Sequence, residues 1–196
     1  MVDQSSDTPR RLIIGISGAS GIVYGVRMLQ MLRDTDIETH LVMSKSAELT
    51  LGYEMDISAK EVYAMADEFH AVKNVGASIS SGSFPTMGMV IAPCSIRSMS
   101  EIASGITSTL LTRAADVILK ERRKLVLMVR ETPLHTGHLR TMTSLSEMGA
   151  IVAPPLPAFY NKPESIDDMV NHSVGRVLDL FDIDVGLVKR WGVDAG

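Results

Sequence analysis

A short apolar run, RLIIGI at 11–16, ends in the small-residue segment SGASG and leads into a stretch whose Val23, Val26, Leu29 and Leu32 recur at helical spacing. A strand, a glycine-rich turn and a helix follow from that change of period. The unit recurs: IETHLVM (37–43) precedes the helical SKSAELTLGYE (44–54), and SAKE (58–61) has the form of a capping box that starts another short helix. Further on, MVIAP (89–93), KLVLMV (124–129) and IVAP (151–154) read as buried strands. Helical stretches fall around 101–104, over 109–120 and over 165–181. Unbroken apolar strands alternating with helices predict a single doubly wound parallel sheet in an α/β class, with helices on both faces and so three α/β/α layers. Residues 76–88 (GASISSGSFPTMG) are expected to be a surface loop, 1–10 a disordered tail, and 11–196 one domain.

In such a sheet, ligands bind outside the carboxyl ends of the strands. The segments expected there are 17–21, Ser44, 94–98, 130–131 and 154–160. Glycines at 15, 18 and 21 let the backbone turn tightly and aim amides at an anion near a helix start; a plain strand-to-helix turn is the alternative. The pattern is not the dinucleotide GxGxxG, because Ser17 stands where the second glycine would fall. The second strand also ends at Ser44 and Lys45, with no acidic residue for an adenosine ribose. Both departures favour a mononucleotide over NAD.

Arg130 and Glu131 end the strongest strand signal, where an arginine can fork onto a phosphate and a carboxylate can relay protons; a surface ion pair is the plainer reading. Ser95, Ile96, Arg97 and Ser98 open a helix after a buried strand, offering amides and hydroxyls to a ring or phosphate. Cys94 beside them invites a nucleophilic role, but a lone buried cysteine usually behaves as a small hydrophobe. Lys120 lies among Arg113, Arg122 and Arg123 on what a solvated basic face also explains. Glu54, Tyr160, Arg176 and Trp191 carry little signal individually. His135 and His138 fit a helix cap and a surface position, with no third ligand spaced for a metal.

Composition narrows the partners. The 196 residues carry a net charge of −4, so no general attraction to nucleic acid or anionic membrane is implied, and any phosphate site must be local. One cysteine excludes an internal disulfide framework. The polar first ten residues lack a secretory signal and no apolar run approaches the ~20 residues that span a bilayer, so a cytoplasmic protein is expected.

Taken together, GISGASG (15–21), YGVR (24–27), Ser44-Lys45, YEMD (53–56), APCS (92–95), RAAD (113–116) through LKERR (119–123), VRETP (129–133), PAFY (157–160) and RWG (190–192) fall in the order seen in UbiX-like flavin prenyltransferases. The chain resembles most the Pad-type branch associated with phenolic-acid decarboxylation. The resemblance implies a flavodoxin-like or Rossmann-like α/β fold and a metal-independent, dodecameric enzyme that joins the dimethylallyl group of dimethylallyl phosphate to N5 and C6 of reduced FMN. Its product, prenylated FMN, would serve a UbiD-like decarboxylase. It implies an FMN site of Gly18, Ala19, Ser20, Ser44, Ser95, Ile96, Arg97, Ser98 and Arg130. Dimethylallyl phosphate would be held by Tyr160 and Arg176, with Lys120 and Arg130 at its phosphate and Trp191 near the prenyl group. Ser20, Glu54, Lys120 and Glu131 are the implied catalytic residues. Ile96 and Arg97 are bulkier than the residues some members carry there.

Two rival functions share this fold. An FMN-dependent decarboxylase of the cysteine type would need no phosphate-binding cations and would carry an early catalytic histidine, whereas His40 falls inside a strand. A non-catalytic flavin carrier would bind FMN without changing its mass.

Overall fold

The computed structural model describes residues 9–188 and 192. In chain order the elements are β1 (Arg10–Ile16), α1 (Ile22–Leu32), β2 (Ile37–Met43), α2 (Lys45–Glu54), α3 (Ala59–Tyr63), β3 (Glu68–His70), β4 (Gly88–Cys94), α4 (Ile96–Ala103), α5 (Leu110–Lys120), β5 (Lys124–Val129), α6 (Thr136–Glu147), β6 (Ile151–Val152) and α7 (Ile166–Asp179). The six strands pair in parallel in the order β3-β2-β1-β4-β5-β6. This is the doubly wound arrangement expected from the alternating pattern, with the order reversing between β1 and β4.

Alternation along each strand builds the three layers, because successive side chains point to opposite faces. Leu12, Ile14, Ile16, Val90, Ala92, Val126 and Met128 face one side, where α1 and α7 cover them. Ile13, Met89, Ile91, Leu125, Leu127 and Val129 face the other, under α4, α5 and α6. Both faces are dry, which explains why the strands read as unbroken apolar runs. Gly25 lets α1 approach the sheet closely: a Cβ there would lie 2.3 Å from the Ala92 carbonyl oxygen.

Local sequence signals account for most boundaries. Ser58 and Glu61 form the capping box on α3, and Thr109 with Thr112 and Ser165 with Asp168 form equivalent boxes on α5 and α7. His135 caps α6 by accepting from the amides of Gly137 and His138. Arg10, assigned to the tail from sequence, is the first residue of β1 and pairs with Asp36. β3 has no counterpart in the sequence reading. Its three residues, EFH, are partly exposed at the sheet edge and carry no apolar run. Backbone pairing to β2 makes the strand, together with a 2.9 Å contact between His40 Nδ1 and His70 Nε2. No helix among the described residues is long and apolar enough to cross a membrane.

Candidate active site

The turn after β1 and the turn after β4 are locked together where the strand order reverses. Ser17, fully buried, donates through Oγ to the Pro93 carbonyl at 3.0 Å and accepts from the Ser95 amide at 2.7 Å. A cleft of about 800 Å³ opens beside this clamp. That volume lies in the range of small-molecule and cofactor sites. Gly18, Ala19, Ser20, Ser44, Ser95, Ile96, Arg97, Ser98, Arg130 and Glu131 all line it, so the turns after β1, β2, β4 and β5 converge on one space.

Two helix N-termini face this space with their own serine caps. Ser44 accepts from the Ala47 amide on α2, and Ser95 from the Ser98 amide on α4. α1 is capped differently. Gly21 takes the N-cap position at φ 98°, a left-handed conformation that favours glycine, and has no side chain to offer. Glu54, the last residue of α2, supplies the missing acceptor. Its carboxylate takes the Gly21 amide at 2.9 and 3.1 Å and the Ile22 amide at 3.0 Å. At this helix start the amides of Gly21 and Ile22 are thus taken by the protein's own carboxylate. The next turn back, at Gly18, Ala19 and Ser20, faces the cleft.

Arg130 follows the end of β5, held by its amide to the Cys94 carbonyl at 3.1 Å. Its exposed guanidinium makes no ion pair among the described residues, which leaves its donors for a ligand anion. The Tyr24 hydroxyl sits close enough to feel that charge: burial raises its pKa and Arg130 partly offsets the rise. Arg97, by contrast, pairs with Glu101 at 2.9 Å across one turn of α4. The Glu131 carboxylate accepts from the Thr132 amide at 3.0 Å. Burial pushes the Cys94 thiol up to about 12, so no thiolate is available there at neutral pH.

The remaining sequence candidates lie elsewhere. Lys120 ends α5 at the amino edge of the sheet, paired with Glu121, on the side away from the cleft. Tyr160 and Arg176 do not line the cleft either; they flank His172 of α7, and Arg176 pairs with Asp179 at 2.6 Å. Trp191 lies outside the described residues. Several cleft residues escaped the sequence reading, among them Lys73, Glu101, Ser108, Thr109 and Thr112. Lys73 comes from the segment after β3, the strand that left no apolar signature. Thr109 is legible in retrospect as the N-cap that aims α5 at the cleft. Among the described residues no His, Cys, Asp and Glu group is arranged to hold a metal ion.

This geometry can be set against known proteins. The sequence matches the Flavoprotein family over residues 2–178. It is 62% identical over 185 residues to flavin prenyltransferase UbiX of Escherichia coli K12, covering 93% of this chain and 98% of that protein. The chain belongs to the UbiX flavin prenyltransferase family. The mitochondrial flavin prenyltransferase PAD1 of Saccharomyces cerevisiae is 47% identical, over 95% of this chain and 77% of its own. Among solved structures, AnUbiX (PadA1) in complex with FMN and dimethylallyl pyrophosphate superposes with a TM-score of 0.92 at 49% identity, covering 93% of this chain and 97% of that one. A dodecameric FMN-dependent UbiX-like decarboxylase from Escherichia coli O157:H7 gives 0.90 at 50% identity, covering 92% and 98%. The FMN-dependent cysteine decarboxylase SpaF, at 18% identity and 0.62, shares the fold alone with the UbiX members.

Proposed function

We propose that this UbiX-family chain is a flavin prenyltransferase that joins the dimethylallyl group of dimethylallyl phosphate to reduced FMN. One observation carries the reading: a cleft at the strand-order reversal brings together Gly18, Ala19, Ser20, Ser44, the α4 N-terminal turn and Arg130, which has no ion-pair partner among the described residues. Amide and hydroxyl donors, two helix N-termini and one cation suit an anionic mononucleotide. The volume accommodates an aromatic ring system beside its phosphate. The FMN and dimethylallyl pyrophosphate bound to the AnUbiX neighbour support the assignment of both ligands.

Reduced FMN bound in the cleft would supply N5 to displace phosphate from the allylic carbon, the N5 proton leaving with the phosphate; return of a proton to the remaining alkene would then let C6 bond the other end of the allyl unit with loss of the C6 proton. The protein needs no covalent nucleophile for this, in keeping with the protonated Cys94. Its residues hold the substrates at reacting distance, exclude water and compensate the charge that gathers on the phosphate. Arg130, on the cleft wall, would bind a phosphate oxygen, and Glu131, its chain neighbour on the same wall, would accept a proton. Ser20 lines the cleft as a hydroxyl donor, and Glu54 fixes the amides at the start of α1. Lys120, Tyr160 and Arg176 do not line the cleft of their own protomer, so they would serve a site completed by other copies of the chain. The dodecamer of the Escherichia coli O157:H7 neighbour supports such an assembly. The product, prenylated FMN, would pass to a UbiD-like decarboxylase.

The test is anaerobic incubation of the protein with reduced FMN and either dimethylallyl phosphate or the pyrophosphate, followed by flavin mass measurement. A gain of one five-carbon prenyl group supports the transferase. Tight FMN binding with no mass gain from either ester makes the chain a carrier instead.

A further inference from the structure

The scheme above gives the flavin phosphate one cation, Arg130. A phosphate monoester carries a charge of about −1.5 to −2 at neutral pH, so a single guanidinium leaves up to about one charge uncompensated. Four cations line the cleft: Lys45, Lys73, Arg97 and Arg130. Two of them are spent within the protein. Lys45 donates to both oxygens of Glu48 at 2.8 Å, and Arg97 pairs at 2.9 Å with Glu101, which also accepts from Ser108. Lys73, like Arg130, has no ion pair and no side-chain hydrogen bond among the described residues.

The backbone that carries Lys73 is fixed even though its side chain is exposed. β3 pairs in register with β2, His70 opposite Val42. A turn then follows, in which the Asn74 amide donates to the Ala71 carbonyl at 2.8 Å and the Val75 amide to the Lys73 carbonyl at 3.0 Å. Val72, 8% exposed, anchors this turn in the core, and its carbonyl accepts from the Leu110 amide at the start of α5 at 2.9 Å. The stem of Lys73 therefore leaves a held position and ends in an uncommitted ammonium on the cleft wall.

Sheet order places the two uncommitted cations on opposite flanks. β3 lies to one side of β2, β1 and β4, and β5 to the other. The three central turns contribute Ser44, 18–20 and 95–98 to the cleft, with the helix N-termini of α2 and α4 among them. An anion held at those N-termini has Lys73 on one side and Arg130 on the other. We propose that Lys73 is a further FMN-binding residue, whose ammonium compensates the second charge of the flavin phosphate while Arg130 compensates the first. This rests on the reading that the cleft holds FMN. A lysine suits the role, because a point charge on a flexible stem needs no fixed fork geometry.

The experiment titrates FMN and riboflavin, which lacks the phosphate, into the wild-type protein and Lys73 variants, read by flavin fluorescence. In Lys73→Met the FMN dissociation constant is expected to rise about five- to tenfold at low salt, the size of one exposed charge-assisted contact, and the deficit should shrink at high salt. The riboflavin dissociation constant should stay within about twofold. Lys73→Arg should restore most of the FMN affinity, and Lys73→Glu should weaken FMN beyond Lys73→Met without weakening riboflavin. Thermal melting should be unchanged, since the side chain is exposed and bonds to nothing among the described residues; should Lys73→Met not fold, Lys73→Gln carries the comparison. An unchanged FMN dissociation constant in Lys73→Met and Lys73→Glu overturns the proposal. So does an equal weakening of FMN and riboflavin, which would place Lys73 at the ring. A raised KM for dimethylallyl phosphate with unchanged FMN affinity overturns it as well, by assigning the cation to the ester. The titrations need no turnover. A wild-type protein that binds FMN and forms no prenylated flavin refutes the transferase and leaves the Lys73 comparison decisive. Equal wild-type affinities for FMN and riboflavin refute phosphate recognition in the cleft and the proposal with it.

Discussion

Glu54 gives the sharpest separation of structure from chemistry, because its carboxylate does a measurable structural job. Three contacts of 2.9–3.1 Å tie it to the amides of Gly21 and Ile22 at the start of α1. Removing a helix N-cap costs about 0.5–2 kcal/mol, and hydrogen bonds to a charged group sit toward the upper part of that range. Glu54 is exposed, so water would re-solvate the released amides, and about 1–1.5 kcal/mol is the appropriate figure for Glu54→Ala. For a domain of this size each kcal/mol shifts Tm by about 2–4 °C, giving a fall of about 2–6 °C. Glu54→Gln keeps one oxygen to accept from both amides and loses mainly the charge–dipole attraction, about 0.3–1 kcal/mol, or about 1–4 °C.

The two variants therefore differ in stability, and the chemical step should not follow that difference. If the carboxylate charge also serves prenyl transfer, both variants slow the single-turnover rate about tenfold or more, equivalent to about 1.4 kcal/mol of barrier. FMN affinity should be preserved in Glu54→Gln, because the glutamine oxygen still accepts from the Gly21 and Ile22 amides that follow the Gly18, Ala19 and Ser20 turn. Thermal melting, flavin fluorescence titration and anaerobic rapid-quench measurements read the three quantities separately. An unchanged Tm in Glu54→Ala would refute the capping argument. An unchanged single-turnover rate in Glu54→Gln would remove Glu54 from the mechanism and leave it a structural residue only.

Arg130→Met should weaken FMN binding about ten- to a hundredfold, as expected for a lost charge-assisted phosphate contact, with the deficit shrinking as salt is raised; an unchanged dissociation constant would refute the role of the Arg130 guanidinium. Cys94→Ala should keep kcat within about twofold, since a thiol raised to about 12 is no nucleophile, and a large loss of rate in a folded variant would refute that conclusion. Stability should fall in two stages on acidification, followed by urea midpoints from pH 8 downward. His70 is held below 6.5 by burial and then by the His40 charge, and His172 by burial and then by Arg176, so the unfolded chain takes up protons first and stability declines as pH drops below about 6.5. A second decline begins below about 4.5, where Glu38, Glu48 and Asp67 are involved. Burial raises these carboxyls, but partners outweigh it and hold them low: Arg11 and His40, Lys45 and Tyr63, and the Thr39 amide and hydroxyl, respectively. A flat profile between pH 7 and 5.5 would refute the histidine stage.

What could be read from the sequence follows the range of the forces involved. Strands such as 124–129 were legible because both faces of residues 125–129 are buried, so that each of those five had to be apolar. Helix starts at Ser58, Thr109 and Ser165 were fixed by bonds spanning three residues. Gly18, Ala19, Ser20, Ser44, Ser95 and Arg130 converge because the parallel sheet brings its strands' carboxyl ends to one edge, so four of the five expected segments form walls, while 154–160, after the edge strand β6, does not line the cleft. The long-range pairings were not legible. Nothing near residue 54 announces that its carboxylate completes a helix begun 33 positions earlier, and nothing in EFH announces a strand held by an edge pairing and a histidine contact. Lys120, Tyr160 and Arg176 belong to a different case. Their types suit a phosphate, but α5 carries Lys120 to the amino edge of the sheet and α7 carries Arg176 alongside α1. One protomer cannot bring these cations to its own cleft without unpacking those helices. Their relation to the reaction is therefore a question about the contact between copies of the chain, and a variant such as Lys120→Ala would test the assembly as much as the chemistry.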